Sequence, residues 1–139
     1  MKTIFYEEIS HLKKVEEKEG IENTRQRLGK KEIRKLRMYY ENLPVEYIDF
    51  LKNIGAGSFR EKTFRIYEGV FYLEELGIYP SIDVNDKIKF FGDDYEDEYF
   101  GFDLKTKDCL VIEYSPGVDE TIHETGKTFK EYIREKIFE

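Results

Sequence analysis

Two histidines and one cysteine are the side chains of this chain best suited to proton transfer or nucleophilic attack near neutral pH. Neither His11 nor His123 stands at a spacing typical of a metal site or of a nucleophile and its base. Cys109 opens an apolar run, which favours a buried and unreactive thiol. The glycine-containing stretch 55–58 lacks the spacing of a phosphate-binding loop and indicates a turn. The sequence therefore predicts no catalytic residue, no metal site and no cofactor.

The most unusual feature is a run of five carboxylates within residues 93–98. Such a run could attract a hard cation, but it lacks the alternating ligands, central glycine and distant glutamate of an EF-hand. Because five carboxylates cannot be buried without paired cations, we expect a solvated loop between two strands. Two interpretations stay open: a merely negative surface, or a docking patch for a basic partner with tyrosine anchors. The candidate partner-binding residues are Asp93, Asp94, Tyr95, Glu96, Asp97, Glu98 and Tyr99.

Charge is unevenly distributed along the chain, whose formal net charge is −7. Residues 1–62 hold 14 Lys and Arg against 11 Asp and Glu (+3), whereas residues 63–139 hold 9 against 19 (−10). The acidic half repels nucleic acid and attracts basic proteins. A basic group in the first half could contact phosphates, but no nucleic-acid motif accompanies it, so an ordinary surface helix is favoured. Its members are Arg25, Arg27, Lys30, Lys31, Arg34, Lys35 and Arg37.

Size and composition indicate one globular domain. A chain of 139 residues with 40% hydrophobic residues can bury a core and is too apolar for a disordered segment. One cysteine cannot form an internal disulfide, which favours a reducing compartment. The first residues do not resemble a signal peptide, and no run approaches the ~20 apolar residues of a membrane span. We therefore expect a cytoplasmic protein.

Hydrophobic periodicity predicts helices first, strands next and a helix last. Apolar residues at helical spacing predict helices over residues 2–18, with a stop at Gly20, over 29–42, and from Pro44 to Gly55. Short β-like runs follow at 64–67, 70–72, 88–91, 99–102, 109–114 and 121–124, with a helical turn at 73–77 and hairpins around 102–109 and 115–118. A capping box at Thr128 and Glu131 starts the closing helix. This order predicts an α+β fold, an antiparallel β-sheet with N-terminal helices and a closing C-terminal helix packed against it.

Several short blocks carry a family resemblance. Leu43–Gly57 combines a Leu-Pro pair, an aromatic residue three positions later, a Phe-Leu pair and a glycine turn. Phe91–Asp94 and Tyr99–Asp103 supply a glycine–acidic turn and a strand ending in Phe-Asp, and Thr128–Ile133 opens a terminal helix. In this order the blocks resemble the SUKH superfamily, the Smi/Knr-like domains. The resemblance covers about residues 29–138 and implies a single SUKH-like domain over 1–139, with a core at 29–139 and a helical N-terminal extension at 1–28.

The resemblance implies a non-catalytic domain that acts by contact. Many bacterial members are regarded as immunity proteins, or antitoxins, that neutralise a polymorphic toxin domain, often a nuclease. Fungal relatives regulate cell-wall synthesis, so an intracellular scaffold or regulatory domain is the alternative. The acidic stretch 93–98 is longer than the turn of many relatives. The resemblance assigns roles in the fold to Pro44, Tyr47, Phe50, Leu51, Gly55, Gly101 and Asp103.

Overall fold

The computed structural model describes residues 3–19, 24–40 and 42–139, and the α+β prediction is confirmed in them. No helix within these ranges is both long and apolar enough to cross a lipid bilayer. The elements, in chain order, are α1 (Tyr6–Glu19), α2 (Lys30–Tyr39), α3 (Val45–Asn53), β1 (Gly57–Phe59), β2 (Phe64–Phe71), a 3-10 turn (Leu73–Leu76), β3 (Ile88–Asp93), β4 (Tyr99–Asp103), β5 (Val111–Ser115), β6 (Asp119–Glu124) and α4 (Phe129–Phe138).

The six strands form one antiparallel sheet in which each strand pairs with the next along the chain. Short turns suffice for such an arrangement, as at 115–118, where the Val118 N–H donates to the Ser115 carbonyl (3.1 Å). Gly117 has the positive φ (82°) that a type II turn requires. The predicted hairpin is therefore confirmed, and neighbouring strands bring residues that are distant in sequence into register.

The helices cover one face of this sheet with an aromatic core. Phe129 of α4 is fully buried, and its ring packs against Phe50 of α3 (5.2 Å) and Phe91 of β3 (5.2 Å). Phe5, which immediately precedes α1, is fully buried and packs edge-on against Phe50 (5.4 Å). Leu12 of α1 joins the same cluster. The segment 1–28, which the resemblance placed outside the core, thus contributes two buried side chains to it, with Ile9 and Leu28 packed against the cluster.

The other face of the sheet is only partly covered. The connection 72–87 between β2 and β3 packs Leu73 against Ile88, Phe90 and Ile112 in a second, smaller cluster. Further along this face, Arg65 and Tyr67 of β2 lie outside that cluster, and the Arg65 side chain is 47% exposed. This open part of the sheet positions the candidate site.

Most predicted elements are confirmed, with three differences. One continuous strand, β2 (Phe64–Phe71), stands where two runs were predicted at 64–67 and 70–72, and the three-residue edge strand β1 was missed. Cys109 precedes β5 rather than opening it, and its backbone adopts a positive φ (49°) that is incompatible with a strand. The capping box is confirmed, because the side chains of Thr128 and Glu131 each accept the other's backbone N–H. Gly20, the predicted end of the first helix, lies outside the described residues.

Candidate functional site

The acidic turn, residues Asp93–Glu98, joins β3 to β4 and is folded by one of its own carboxylates. Asp94 Oδ1 accepts the backbone N–H groups of Glu96 (3.0 Å), Asp97 (3.1 Å) and Glu98 (3.0 Å). The Asp94 N–H donates to the Glu98 carbonyl (3.1 Å), which closes the turn. A short aspartate side chain can satisfy several nearby backbone donors in this way. Asp94 therefore organises the turn from within.

Asp93 is buried, with 3% of its surface exposed, so the prediction of a wholly solvated segment is wrong at this residue. Its Oδ2 accepts from Arg65 Nε (2.8 Å) and the Tyr67 hydroxyl (2.5 Å), and its Oδ1 accepts the Tyr95 N–H (2.8 Å). The ladder places Arg65 directly opposite Asp93, which supplies the paired cation that a buried carboxylate requires. Burial, followed by the hydrogen bond to Asp93, raises the pKa of the Tyr67 phenol.

Arg65 also holds aromatic side chains on the open face of the sheet. Its guanidinium lies over the rings of Tyr95 (5.0 Å) and Tyr67 (5.7 Å), an arrangement in which a cation is attracted to the ring face. The Tyr95 hydroxyl hydrogen-bonds the Ser58 hydroxyl on β1. We name this set the Arg65 cluster; its members are Ser58, Arg65, Tyr67, Asp93, Tyr95 and Tyr99, the last being opposite Asp93 in the ladder. The cluster fixes Tyr95 in place while 37% of its surface stays exposed.

Glu96 and Asp97 form the outward part of the acidic turn. Both side chains are exposed. In residues 3–19, 24–40 and 42–139, neither carboxylate has an ion pair or a hydrogen bond to another side chain. Their charge is therefore directed to solvent, beside the fixed ring of Tyr95.

Glu98 lies on the helix side of the sheet, away from the Arg65 cluster. It is partly buried near Glu113 of β5, which accepts a hydrogen bond from the Tyr132 hydroxyl of α4 (2.5 Å). Burial, then repulsion from Glu113, raises the pKa of Glu98 to about 7, and the attraction of Lys136 opposes this shift. Lys136 lies over the rings of Tyr132 (5.1 Å) and Phe100 (4.4 Å). No spacing in the sequence flags this group, because β4, β5 and α4 meet only in the tertiary structure.

Glu98→Gln should stabilise the protein at alkaline pH and have no such effect in acid. In the unfolded chain Glu98 ionises at its ordinary pKa of 4.5, but in the folded protein it does so at about 7. The folded state thus binds the extra proton between these values, and stability is lost as the pH rises through them. Gln carries no charge, so the variant does not lose this stability. Its Tm should exceed that of the parent protein by the full amount at about pH 8 and by nothing at about pH 4. Thermal unfolding at both pH values measures it. Glu96→Gln, at an exposed position, is the control, and equal Tm profiles for the two variants would contradict the prediction.

The three side chains with proton-transfer or nucleophilic chemistry lie on separate elements with separate partners. His11 on α1 packs against the Phe138 ring (4.3 Å), and His123 Nε2 on β6 pairs with Asp119 Oδ2 (2.6 Å). The Cys109 thiol is buried, as predicted, and donates to the Asn42 carbonyl (3.3 Å). Burial raises the pKa of this thiol, which disfavours the reactive thiolate. Among the described residues, no three His, Cys, Asp or Glu side chains are placed to hold a metal ion.

The candidate partner-binding residues fall into four groups. Asp93 and Asp94 hold the turn together, Tyr95, Glu96 and Asp97 are exposed, and Glu98 belongs to the helix-side group. Tyr99 is half-buried in β4. Comparison of the chain with known protein families, curated proteins and solved structures finds no match. The surface that the acidic turn offers is a fixed tyrosine ring beside two free carboxylates, which is suited to contact with a basic surface.

Proposed function

We propose that this chain is an immunity protein, which binds a basic bacterial toxin domain through the acidic turn and neutralises it by contact. The supporting observation is that some residues of the acidic turn hold its structure while others are exposed to a partner. Asp93 and Asp94 accept hydrogen bonds from within the fold and thereby hold the turn. The side chains that remain exposed are those of Tyr95, Glu96 and Asp97.

A prefolded turn favours tight binding, because little conformational entropy remains to be lost when a partner docks. Tyrosine is among the residues that concentrate binding energy at the centre of interfaces. The free carboxylates, set in a half of the chain with a net charge of −10, accelerate encounter with a basic surface. The acidic turn therefore combines an aromatic ring, two free carboxylates and a fixed backbone.

The toxin partner is inferred from the resemblance to SUKH domains together with this charge. A nuclease needs a basic surface to hold phosphates, and an acidic turn can occupy that surface. Neutralisation by occupation requires no bond to be made or broken by the immunity protein, so we propose a non-enzymatic role. We place the encounter in the cytoplasm, in keeping with a lone cysteine that keeps its free thiol.

Co-expression with the toxin domain encoded by the neighbouring gene tests the role. We expect the two proteins to co-purify and the chain to restore growth of cells that produce the toxin. A neighbouring gene that encodes no toxin, together with a stable complex with another basic protein, would overturn immunity in favour of a scaffold or regulatory domain.

Removing the two free charges, Glu96→Gln with Asp97→Asn, tests the turn itself. We expect the association rate with the toxin domain to fall about tenfold at low salt and to become less dependent on salt. The free energy of unfolding should change by no more than about 0.5 kcal/mol, because these side chains hold nothing in place. Stopped-flow association and urea titration measure the two quantities.

The matched control is Glu74→Gln with Asp83→Asn, which removes two exposed carboxylates from the connection 72–87 and changes the net charge equally. Its association rate should fall far less. If both double variants slowed association equally, the effect would come from the total charge of the protein and not from the acidic turn. An unchanged association rate in the Glu96 and Asp97 variant would exclude the acidic turn from the interface.

A further inference from the structure

A groove between α2 and α3 has an apolar floor and a basic rim. Its volume is about 460 Å³. Ile33 of α2 (8% exposed) and Ile48 of α3 (5% exposed) lie at its base, whereas Met38 at its edge is 77% exposed. We name it the α2–α3 groove; it is lined by Lys30, Ile33, Arg34, Arg37, Met38, Ile48 and Lys52.

The four cations of this groove are not neutralised within the described structure. Lys30, Arg34 and Arg37 recur three or four residues apart, which places them along one side of α2, and α3 contributes Lys52. The ion pairs found in the described ranges involve other cations, among them Arg25, Arg65 and Arg134.

The carboxylates of α3 are engaged elsewhere. Glu46 accepts the backbone N–H of Lys130 at the start of α4 (2.8 Å), and Asp49 accepts the N–H of Ile4 (3.3 Å) and the side chain of Asn53 (3.1 Å). The bonds to Ile4 and Lys130 attach α3 to its neighbours in the fold, and together with the Asn53 bond within α3 they engage both carboxylates away from the cations of the groove. Four like charges at one groove produce a positive potential that an anionic ligand would relieve.

Charge and floor together define the ligand. A simple anion would pair with the cations but make no apolar contact with the isoleucine floor or with Met38. Single-stranded nucleic acid would meet aliphatic side chains at the floor instead of the aromatic platforms on which bases stack. A helix with an apolar stripe flanked by Asp and Glu matches both the floor and the rim, and methionine adapts its shape to such stripes. The distance from Lys30 to Met38 along α2 is roughly 12 Å, which suits about two turns of a docked helix.

We propose that the α2–α3 groove binds an acidic amphipathic helix of a partner protein. This second interaction surface shares no residue with the acidic turn and selects the opposite charge. A partner that docks here leaves the acidic turn to its own basic partner, so the chain can join two proteins of opposite charge. The proposal does not depend on the identity of the toxin.

The test uses a fluorescent peptide of about 18 residues, with Leu at helical spacing and Glu on both sides of the stripe. Fluorescence anisotropy with the full chain should show saturable binding that weakens as salt is added. A peptide of the same composition with a scrambled order has no apolar stripe and should bind at least about tenfold more weakly. A labelled single-stranded oligonucleotide should not compete.

Arg34→Gln with Arg37→Gln should weaken peptide binding about tenfold or more, because it removes half of the rim charge. Lys105→Gln with Lys107→Gln removes two exposed cations from the β4–β5 connection and is the matched control, with binding expected to be unchanged. Circular dichroism and urea titration verify that both variants are folded. Absence of peptide binding up to about 1 mM would overturn the proposal. Equal binding of the scrambled peptide, or displacement by the oligonucleotide, would also overturn it.

Discussion

Phe129→Ala should lower the free energy of unfolding by about 3–5 kcal/mol, the range typical of deleting a fully buried phenylalanine. The Phe129 ring is inaccessible to solvent and contacts the rings of Phe5, Phe50 and Tyr47 on the helix side. It also contacts Phe91 of the sheet. Alanine would leave a cavity bounded by rings from the turn before α1, from α3 and from the sheet, which cannot all close over it. The loss is a large part of the ~5–15 kcal/mol that stabilises a typical domain.

Urea titration followed by circular dichroism measures this effect. Phe138→Ala is the matched control, because it deletes the same ring from the same helix at a position that is 39% exposed. We expect that control to cost less than about 1 kcal/mol. If Phe129→Ala does not fold, Phe129→Leu retains most of the volume and should show a smaller loss in the same direction. Similar losses for Phe129→Ala and Phe138→Ala would contradict the central position of Phe129.

Asp93→Ala should be the most destabilising change within the acidic turn, at about 2–3 kcal/mol. The substitution leaves the Tyr67 hydroxyl and the Tyr95 N–H without their acceptor and removes the carboxylate that Arg65 faces. The loss stays below that of a fully buried ion pair because 47% of the Arg65 side chain is exposed and can regain water. Urea titration gives the size of the loss.

Asp97→Asn supplies the comparison for Asp93, because it alters a carboxylate four residues further along, in the exposed part of the turn. Its free energy of unfolding should differ from that of the parent by no more than about 0.5 kcal/mol. Asp93→Asn retains one acceptor oxygen and should be less destabilising than Asp93→Ala. If Asp93→Ala were as stable as Asp97→Asn, the hydrogen bonds of Asp93 would not hold the turn.

The distinction between Asp93 and Asp97 bears directly on the proposed function. A variant that removes all the negative charges of residues 93–98 would both unfold the turn and remove its charge. A loss of binding could then come from either the lost structure or the lost charge. Glu96 and Asp97 can be changed while the hydrogen bonds of Asp94 and the Arg65 cluster persist. They therefore separate the electrostatic contribution to binding from the structural one.

The amino-acid sequence by itself determined the order and type of most elements. Helical spacing of apolar residues predicted the helices, and the Thr128 capping box marked where α4 begins. Alternating β-branched and aromatic runs, with turn residues between them, predicted the strands of an antiparallel sheet. These features are local, so a short stretch of consecutive residues is enough to recognise each element. The short edge strand β1 was missed because three residues, Gly57–Phe59, are too few to show alternation.

Only the tertiary structure decided which members of the acidic turn are available to a partner. Alignment of β2 with β3 sets Arg65 opposite Asp93, and this single pairing converts a carboxylate expected in water into a buried anchor. The meeting of β4, β5 and α4 likewise brings Glu98 beside Glu113 and raises its pKa. Residue composition reveals how much charge a segment carries, but burial and pairing depend on neighbours from distant parts of the chain. The free charge at Glu96 and Asp97 is therefore a property of the fold, because the strand register and the helix packing determine which carboxylates find partners.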